Sequence, residues 1–146
     1  QAAIGRRQLG KLANWLTLRR RNARLLDGAL NGVVGIVLRT PPPAVEHARY
    51  KYCIEIDPAR LRAGWDLQRI AAAINSEGIP CQLTNFSEIY LEKAFVDRAL
   101  APHARLPNAQ QSSETSLLFM VHPTLTERDM RDTADAIVKV MKTAAA

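Results

Sequence analysis

The sequence predicts an α+β fold, a small mixed or antiparallel sheet covered by helices and preceded by a long helix. Three observations carry this. "YKYCIEID" (50–57) alternates in polarity, as a half-buried strand does. Residues 66–77 and 126–142 each place apolar side chains on a single helical stripe. Strands and helices interleave, while connections such as 40–49 and 99–114 stay long, which suits an α+β layer.

The elements follow in order. Leu9, Leu12, Leu16, Ala23, Leu26 and Leu30 line one face of a helix running from residue 1 to about residue 30. Gly5 and Gly10 weaken it by roughly 1 kcal/mol each relative to Ala. The pattern is already running at Gln1, with no Ser, Thr, Asp or Asn cap, so we expect a piece cut from a longer protein. "GVVGIVLR" (32–39) is a strand candidate bounded by Gly and by the rigid Pro41-Pro42-Pro43. In 50–57, Tyr50, Tyr52, Ile54 and Ile56 face one way and Lys51, Cys53, Glu55 and Asp57 the other. Asp66 caps the next helix, whose stripe is Leu67, Ile70, Ala71 and Ile74. Gly78, Ile79 and Pro80 stop it. Residues 80–86 read as a strand or extended run, 87–95 as a short helix opened by Ser87, and 99–114 as a loop or broken helix. "SLLFMV" (116–121) is a buried strand. Thr126 and Asp129 resemble a capping box for the closing helix, whose inner stripe is Met130, Ala134, Ile137 and Met141.

At 146 residues, 47% hydrophobic and 23% charged, the chain is long enough for a sizeable core and too apolar to be disordered. No run approaches the roughly 20 apolar residues of a membrane span. Cys53 and Cys81 are too few for a disulfide framework and are expected as buried free thiols, which fits a cytoplasmic setting. The net charge of +6 is local. Arg6, Arg7, Lys11, Arg19, Arg20, Arg21 and Arg24 precede the first acid, Asp27, and the remainder holds 13 cations against 14 acids. The excess is one helix rather than a surface-wide nucleic-acid field. A solvated face is its ordinary reading; contact with a partner domain or an anionic ligand, and contact with nucleic acid, are the others.

His47, His103 and His122 stand at no metal spacing, and the chain shows no phosphate loop, GxSxG or CxxC. His122 ends a buried strand ahead of Pro123, where ligand groups gather in α/β layers. From the residues alone, the reading stops at an α+β domain.

"QAAIGRRQLGKL", "GIPCQLTNFSEIYLEKAF" and "SLLFMVHPTLTERDM" resemble the C-terminal part of the DegT/DnrJ/StrS family of sugar aminotransferases, and "HARYKYCIEID" with "GWDLQRIAAAINSEGIPC" extends the likeness to the whole chain. The family's members are pyridoxal phosphate (PLP) enzymes of fold type I. The resemblance implies an interdomain helix over 1–30 and a small C-terminal domain over 31–146, with the large PLP domain absent from this chain. It implies a parent that moves an amino group from an amino-acid donor to a nucleotide-linked keto sugar, as a cytoplasmic homodimer, with no membrane or nucleic-acid partner. Lys11, Lys51, Lys93, Lys139 and Lys142 match no Schiff-base motif, so the resemblance implies no PLP on this chain and no catalytic residue in it. Its substrate-binding candidates are His47, Tyr50, Glu88, Tyr90 and His122. "TNF" ahead of "SEIY" departs from the commoner family versions. Two other readings share the pattern: a freestanding ferredoxin-like module binding a ligand or RNA, lacking the last strand, and a catalytically inactive regulator of the same fold.

Overall fold

A computed structural model describes residues 1–84 and 87–146. The opening helix is two helices, α1 (Ala2–Leu9) and α2 (Leu12–Leu30), rather than one. The break falls at Gly10 and Lys11, where the Lys11 N–H donates to Gln8 O at 3.0 Å in a tightened turn. Glycine is the weakest link of a helix because it has most backbone freedom to lose. The predicted stripe divides at the same place. Ala23, Leu26 and Leu30 are buried, Leu16 is half-buried, and Leu9 and Leu12 are exposed.

β1 (Ile36–Val37) is shorter than the predicted 32–39, because Gly32 and Gly35, both at positive φ, use residues 32–35 in turns. Gly35 is favoured there by its φ of +80°, which L side chains rarely adopt, and a Cβ would also stand 2.9 Å from Met141 Cε, so that side chain would have to shift. β2 (Tyr52–Ile56) buries Tyr52, Ile54 and Ile56. Tyr50 does not share that face. It precedes the strand and is 73% exposed, since Arg49 at φ +51° turns the chain just before β2. Cys53, opposite in the alternation, is also exposed and only Cys81 is buried, so the expectation of two buried thiols fails for Cys53.

α3 (Leu67–Ser76) starts where Asp66 Oδ1 accepts the Arg69 N–H at 2.7 Å. It ends at Gly78, φ +84°, with Gly78 N–H on Asn75 O and Ile79 N–H on Ile74 O, a Schellman pair. β3 (Cys81–Leu83) follows. The expected run to residue 86 reaches Asn85 and Phe86, which lie outside the described residues. The predicted helix over 87–95 is a 3₁₀ turn, Ile89–Leu91, and α4 (Lys93–Val96), separated by extended Glu92; Ser87 caps neither. α5 (Pro107–Thr115) runs straight into β4 (Ser116–Phe119). α6 (Glu127–Ala144) opens with the capping box: Thr126 N–H to Asp129 Oδ2 at 2.7 Å, Asp129 N–H to Thr126 Oγ1 at 3.2 Å.

The four strands form one antiparallel sheet in the order β1-β2-β4-β3. Tyr52, Phe119 and Cys81 lie in one cross-strand row and Ile54, Leu117 and Leu83 in another, all toward the core. α2, α3 and α6 close that face. β2 and β3 are both antiparallel to β4, so β2-α3-β3-β4-α6 is a ferredoxin-like arrangement. The edge that such a fold gives to its last strand is occupied here by β1, from the N-terminal side.

Candidate functional site

The cross-strand row of Tyr52, Phe119 and Cys81 sets the geometry. The entry to β2, the exit of β4 and the entry to β3 share one end of the sheet. His47, Tyr50 and His122 come to that end together. Glu88 and Tyr90 follow β3 and leave from the opposite end, so the sequence-predicted residues form two groups.

In the first group, α2 holds residues 46–50 through its arginines. Arg19 donates to Tyr50 O at 2.6 Å and lies over the Tyr50 ring, 5.3 Å from its centroid. Arg20 Nε donates to His47 O at 3.2 Å, and its Nη2 stands 3.5 Å from the Glu46 carboxylate. Arg49 reaches Asp27 Oδ2 at 3.7 Å, and its own N–H donates to His47 Nδ1 at 2.9 Å. His47 and Tyr50 are thus fixed by their backbones and present their rings to solvent.

His122 is placed differently. Its carbonyl accepts from Asn22 Nδ2 at 3.1 Å and from the Leu125 N–H at 3.0 Å. Asn22 is fully buried, and its Nδ2 also reaches Leu125 O, which Arg21 Nη2 meets at 3.3 Å, so two neighbouring side chains of α2 hold the turn after β4. The His122 ring is exposed, with Nδ1 2.7 Å from Thr124 Oγ1. It borders a cleft of about 440 Å³ between the 78–80 turn and the start of α6, lined also by Met120, Leu125, Asp129 and Asp132.

Around Glu88 the chain makes a closed cluster. Arg105 forks onto both carboxylate oxygens, with Nε on Oε1 at 2.8 Å. Tyr90 donates to the same Oε1 at 2.7 Å and accepts the Leu106 N–H at 2.9 Å. The Glu88 side chain is only 8% exposed. Arg105, followed by Tyr90, holds its carboxyl well below the ordinary range, at about 2. The polar atoms of Glu88 and Tyr90 are spent within the chain, fixing the 88–106 connection against the start of α5. Arg105, Asn22 and Asp27 are absent from the sequence candidates, because nothing in local spacing pairs residue 88 with 105 or residue 22 with 122.

Among the described residues, no three His, Cys, Asp or Glu side chains are grouped to hold a metal ion. Lys93 and Lys139 pair with Asp97 and Glu77, Lys51 with Gln82, and Lys11 lies over Trp15. Lys142 borders a cleft with Val33, Val34, Val138 and Met141, which offers no acid for a pyridinium nitrogen.

The DegT/DnrJ/EryC1/StrS aminotransferase family model matches residues 1–138. L-glutamine:2-deoxy-scyllo-inosose aminotransferase of Streptomyces kanamyceticus is 31% identical over 97% of this chain and 36% of its own length. dTDP-4-dehydro-2,3,6-trideoxy-D-glucose 4-aminotransferase of Saccharopolyspora spinosa is 29% identical over 97% of this chain and 34% of its own. The aminotransferase of Psychrobacter cryohalolentis superposes with a TM-score of 0.87 at 37% identity, over 97% of this chain and 38% of that one. The chain therefore spans about a third of the length of the curated relatives it matches. With nearly every residue aligned in sequence and the same sheet and helices in space, the chain belongs to the DegT/DnrJ/EryC1/StrS aminotransferase family.

Proposed function

We propose that this chain is the C-terminal small domain of a PLP-dependent aminotransferase that transfers an amino group from an amino acid to a keto sugar carried on a nucleotide. The reading rests on one observation above the others: the Psychrobacter cryohalolentis aminotransferase matches this chain at 37% identity and a TM-score of 0.87 while extending well beyond it. In this reading, residues 1–30 connect to a large domain that carries the cofactor, the parent works in the cytoplasm as a homodimer, and PLP there supplies the carrier of the amino group. What this chain contributes is shape and position. The end of the sheet bearing His47, Tyr50 and His122 closes one side of the site, orients the sugar and excludes water. Glu88 and Tyr90 act on the substrate through the connection they fix.

The ferredoxin-like strand order also serves RNA-binding modules, but those stack bases on sheet-face aromatics. The outward residues of β2, β3 and β4 here are Cys53, Glu55, Gln82, Ser116 and Leu118, none of them aromatic.

The test is steady-state kinetics of the full-length enzyme with the sugar nucleotide varied. His122→Ala and Tyr90→Phe are expected to lower kcat/KM for the sugar by an amount equivalent to about 1–3 kcal/mol, with the cofactor spectrum unchanged. Absence of any transamination by the wild-type enzyme overturns the reading. Unchanged kcat/KM in both variants removes these two residues from the site.

A further inference from the structure

Asn-Gly occurs once in the chain, at Asn31–Gly32, directly after the last residue of α2. Asn31 caps that helix with φ −63° and ψ 125°, and Gly32 follows at φ +78°. This is a type II turn, closed by the Val33 N–H on Leu30 O at 3.2 Å. Asn31 and Gly32 are both exposed, and nothing lies within 4 Å of where a Gly32 Cβ would stand. Among the described residues the Gly32 N–H donates to no backbone oxygen. The other asparagines are placed differently. Asn14, Asn75 and Asn108 lie within α2, α3 and α5 and precede Trp15, Ser76 and Ala109, and Asn22 is buried.

We propose that Asn31 is a site of spontaneous covalent modification, deamidation through Gly32, with the Leu30–Val33 turn as its brake. The Gly32 nitrogen gives up its proton to water or hydroxide and attacks the Asn31 side-chain carbonyl carbon. A bond from that nitrogen to Cγ forms, the Cγ–Nδ2 bond breaks, and ammonia leaves with a proton taken from solvent. Water then opens the cyclic imide at either carbonyl, giving aspartate or isoaspartate, with no oxidation or reduction. Glycine is the favourable neighbour because it has no side chain to crowd the attacking nitrogen and the freest backbone. At ψ 125° the Gly32 nitrogen is turned away from the Asn31 amide, so the ring closes only after rotation about the Asn31 Cα–C bond. One hydrogen bond closes the turn, and the two residues that move are exposed, which puts this opening among the low-energy local motions of the chain. Asp27–Gly28 shows the same chemistry held in check. It lies inside α2, and its carboxylate is engaged by Tyr52 and Arg49. At Asn31 either product sets a carboxylate at the carbonyl end of α2, which the helix dipole disfavours, and isoaspartate also lengthens the backbone between α2 and β1.

The chain aged in mildly alkaline buffer is followed by ion exchange, by mass mapping of the tryptic peptide 25–39, and by labelling with a protein isoaspartyl methyltransferase. An acidic species is expected, with the formal net charge of +6 lowered by one unit, both aspartate and isoaspartate at position 31, and faster conversion in urea. Asn31→Gln, its fold checked by circular dichroism, is expected to lose the species and the label, whereas Asn108→Gln keeps both. Absence of an acidic species, conversion at Asn14 or Asn108 ahead of Asn31, the same species in Asn31→Gln, or aspartate as the only product overturns the proposal. An equal rate with and without urea overturns the turn as its brake.

Discussion

Tyr52 donates its phenolic hydrogen to Asp27 Oδ1 at 2.8 Å, tying the first residue of β2 to the last turn of α2. Tyr52 is 1% exposed, and burial, then Asp27, raise its pKa above the ordinary 10.0. Ionisation is easier in the unfolded chain, so this contribution is full below about pH 10 and is lost as pH rises beyond it. Tyr52→Phe is expected to cost about 1.5 kcal/mol at neutral pH and to shrink the alkaline fall in stability. Thermal unfolding from pH 8 to 11.5 measures both; an identical alkaline limb in the variant refutes the assignment.

Asn22 is the single side chain that satisfies the carbonyls of both His122 and Leu125 from α2. Asn22→Ala removes two hydrogen bonds, although His122 O keeps the Leu125 N–H and Leu125 O keeps Arg21 Nη2, and is expected to destabilise by about 1–3 kcal/mol in urea unfolding. A change within error would mean that the 122–125 turn is self-supporting.

Two glycines should respond with opposite sign. Gly35 sits at φ +80° against Met141 and Ala145, so Gly35→Ala is expected to lose about 1–3 kcal/mol. Gly28 lies inside α2 with open space around it, so Gly28→Ala is expected to gain about 0.4–1 kcal/mol. Equilibrium denaturation of the pair checks the backbone argument against a purely steric one.

The Glu88 cluster predicts an acid limb. Its carboxyl titrates at about 2 when folded against an ordinary 4.5, so its contribution holds above pH 4.5 and is lost as pH falls from there toward 2. Glu88→Gln should flatten this limb and speed cleavage within 92–104 by a nonspecific protease. Unchanged cleavage in Glu88→Gln would show that Arg105 does not restrain the connection.

α1 and the start of α2 expose Ile4, Leu9 and Leu12. Apolar surface of this kind promotes association. Sedimentation at rising concentration is expected to show self-association of the isolated chain, reduced by Leu9→Glu. A monomer at all concentrations would count against a role for residues 1–30 in joining a second domain.

The sequence was most legible where structure is local. Asp66, Gly78 and the Thr126–Asp129 box mark helix ends through bonds spanning three to five residues, and each forms as written. The inner faces of β2 and α6 followed from their periods. α5 was read only as a loop or broken helix because "PNAQQSSET" carries no apolar stripe; it forms against β2 and inserts directly into β4. β1 shrank because two positive-φ glycines outweighed an apolar run. At the candidate site, the exposure of His47, Tyr50 and His122 follows from turns visible in the chain. The partners that fix them, Arg19, Arg20 and Asn22, act over 27 to 100 residues and leave no mark in spacing.

The interruption at Gly10 and Lys11 separates direction from attachment. α1 buries no residue, whereas α2 is anchored from Asn22 onward. Rotating the backbone at those two positions swings α1 through a wide cone without disturbing one core contact. The core therefore does not choose where α1 points. The hydrogen-bonded turn at Gly10 and Lys11 sets that bearing, so the direction of α1 is a local property of two residues while its attachment is a property of the whole core.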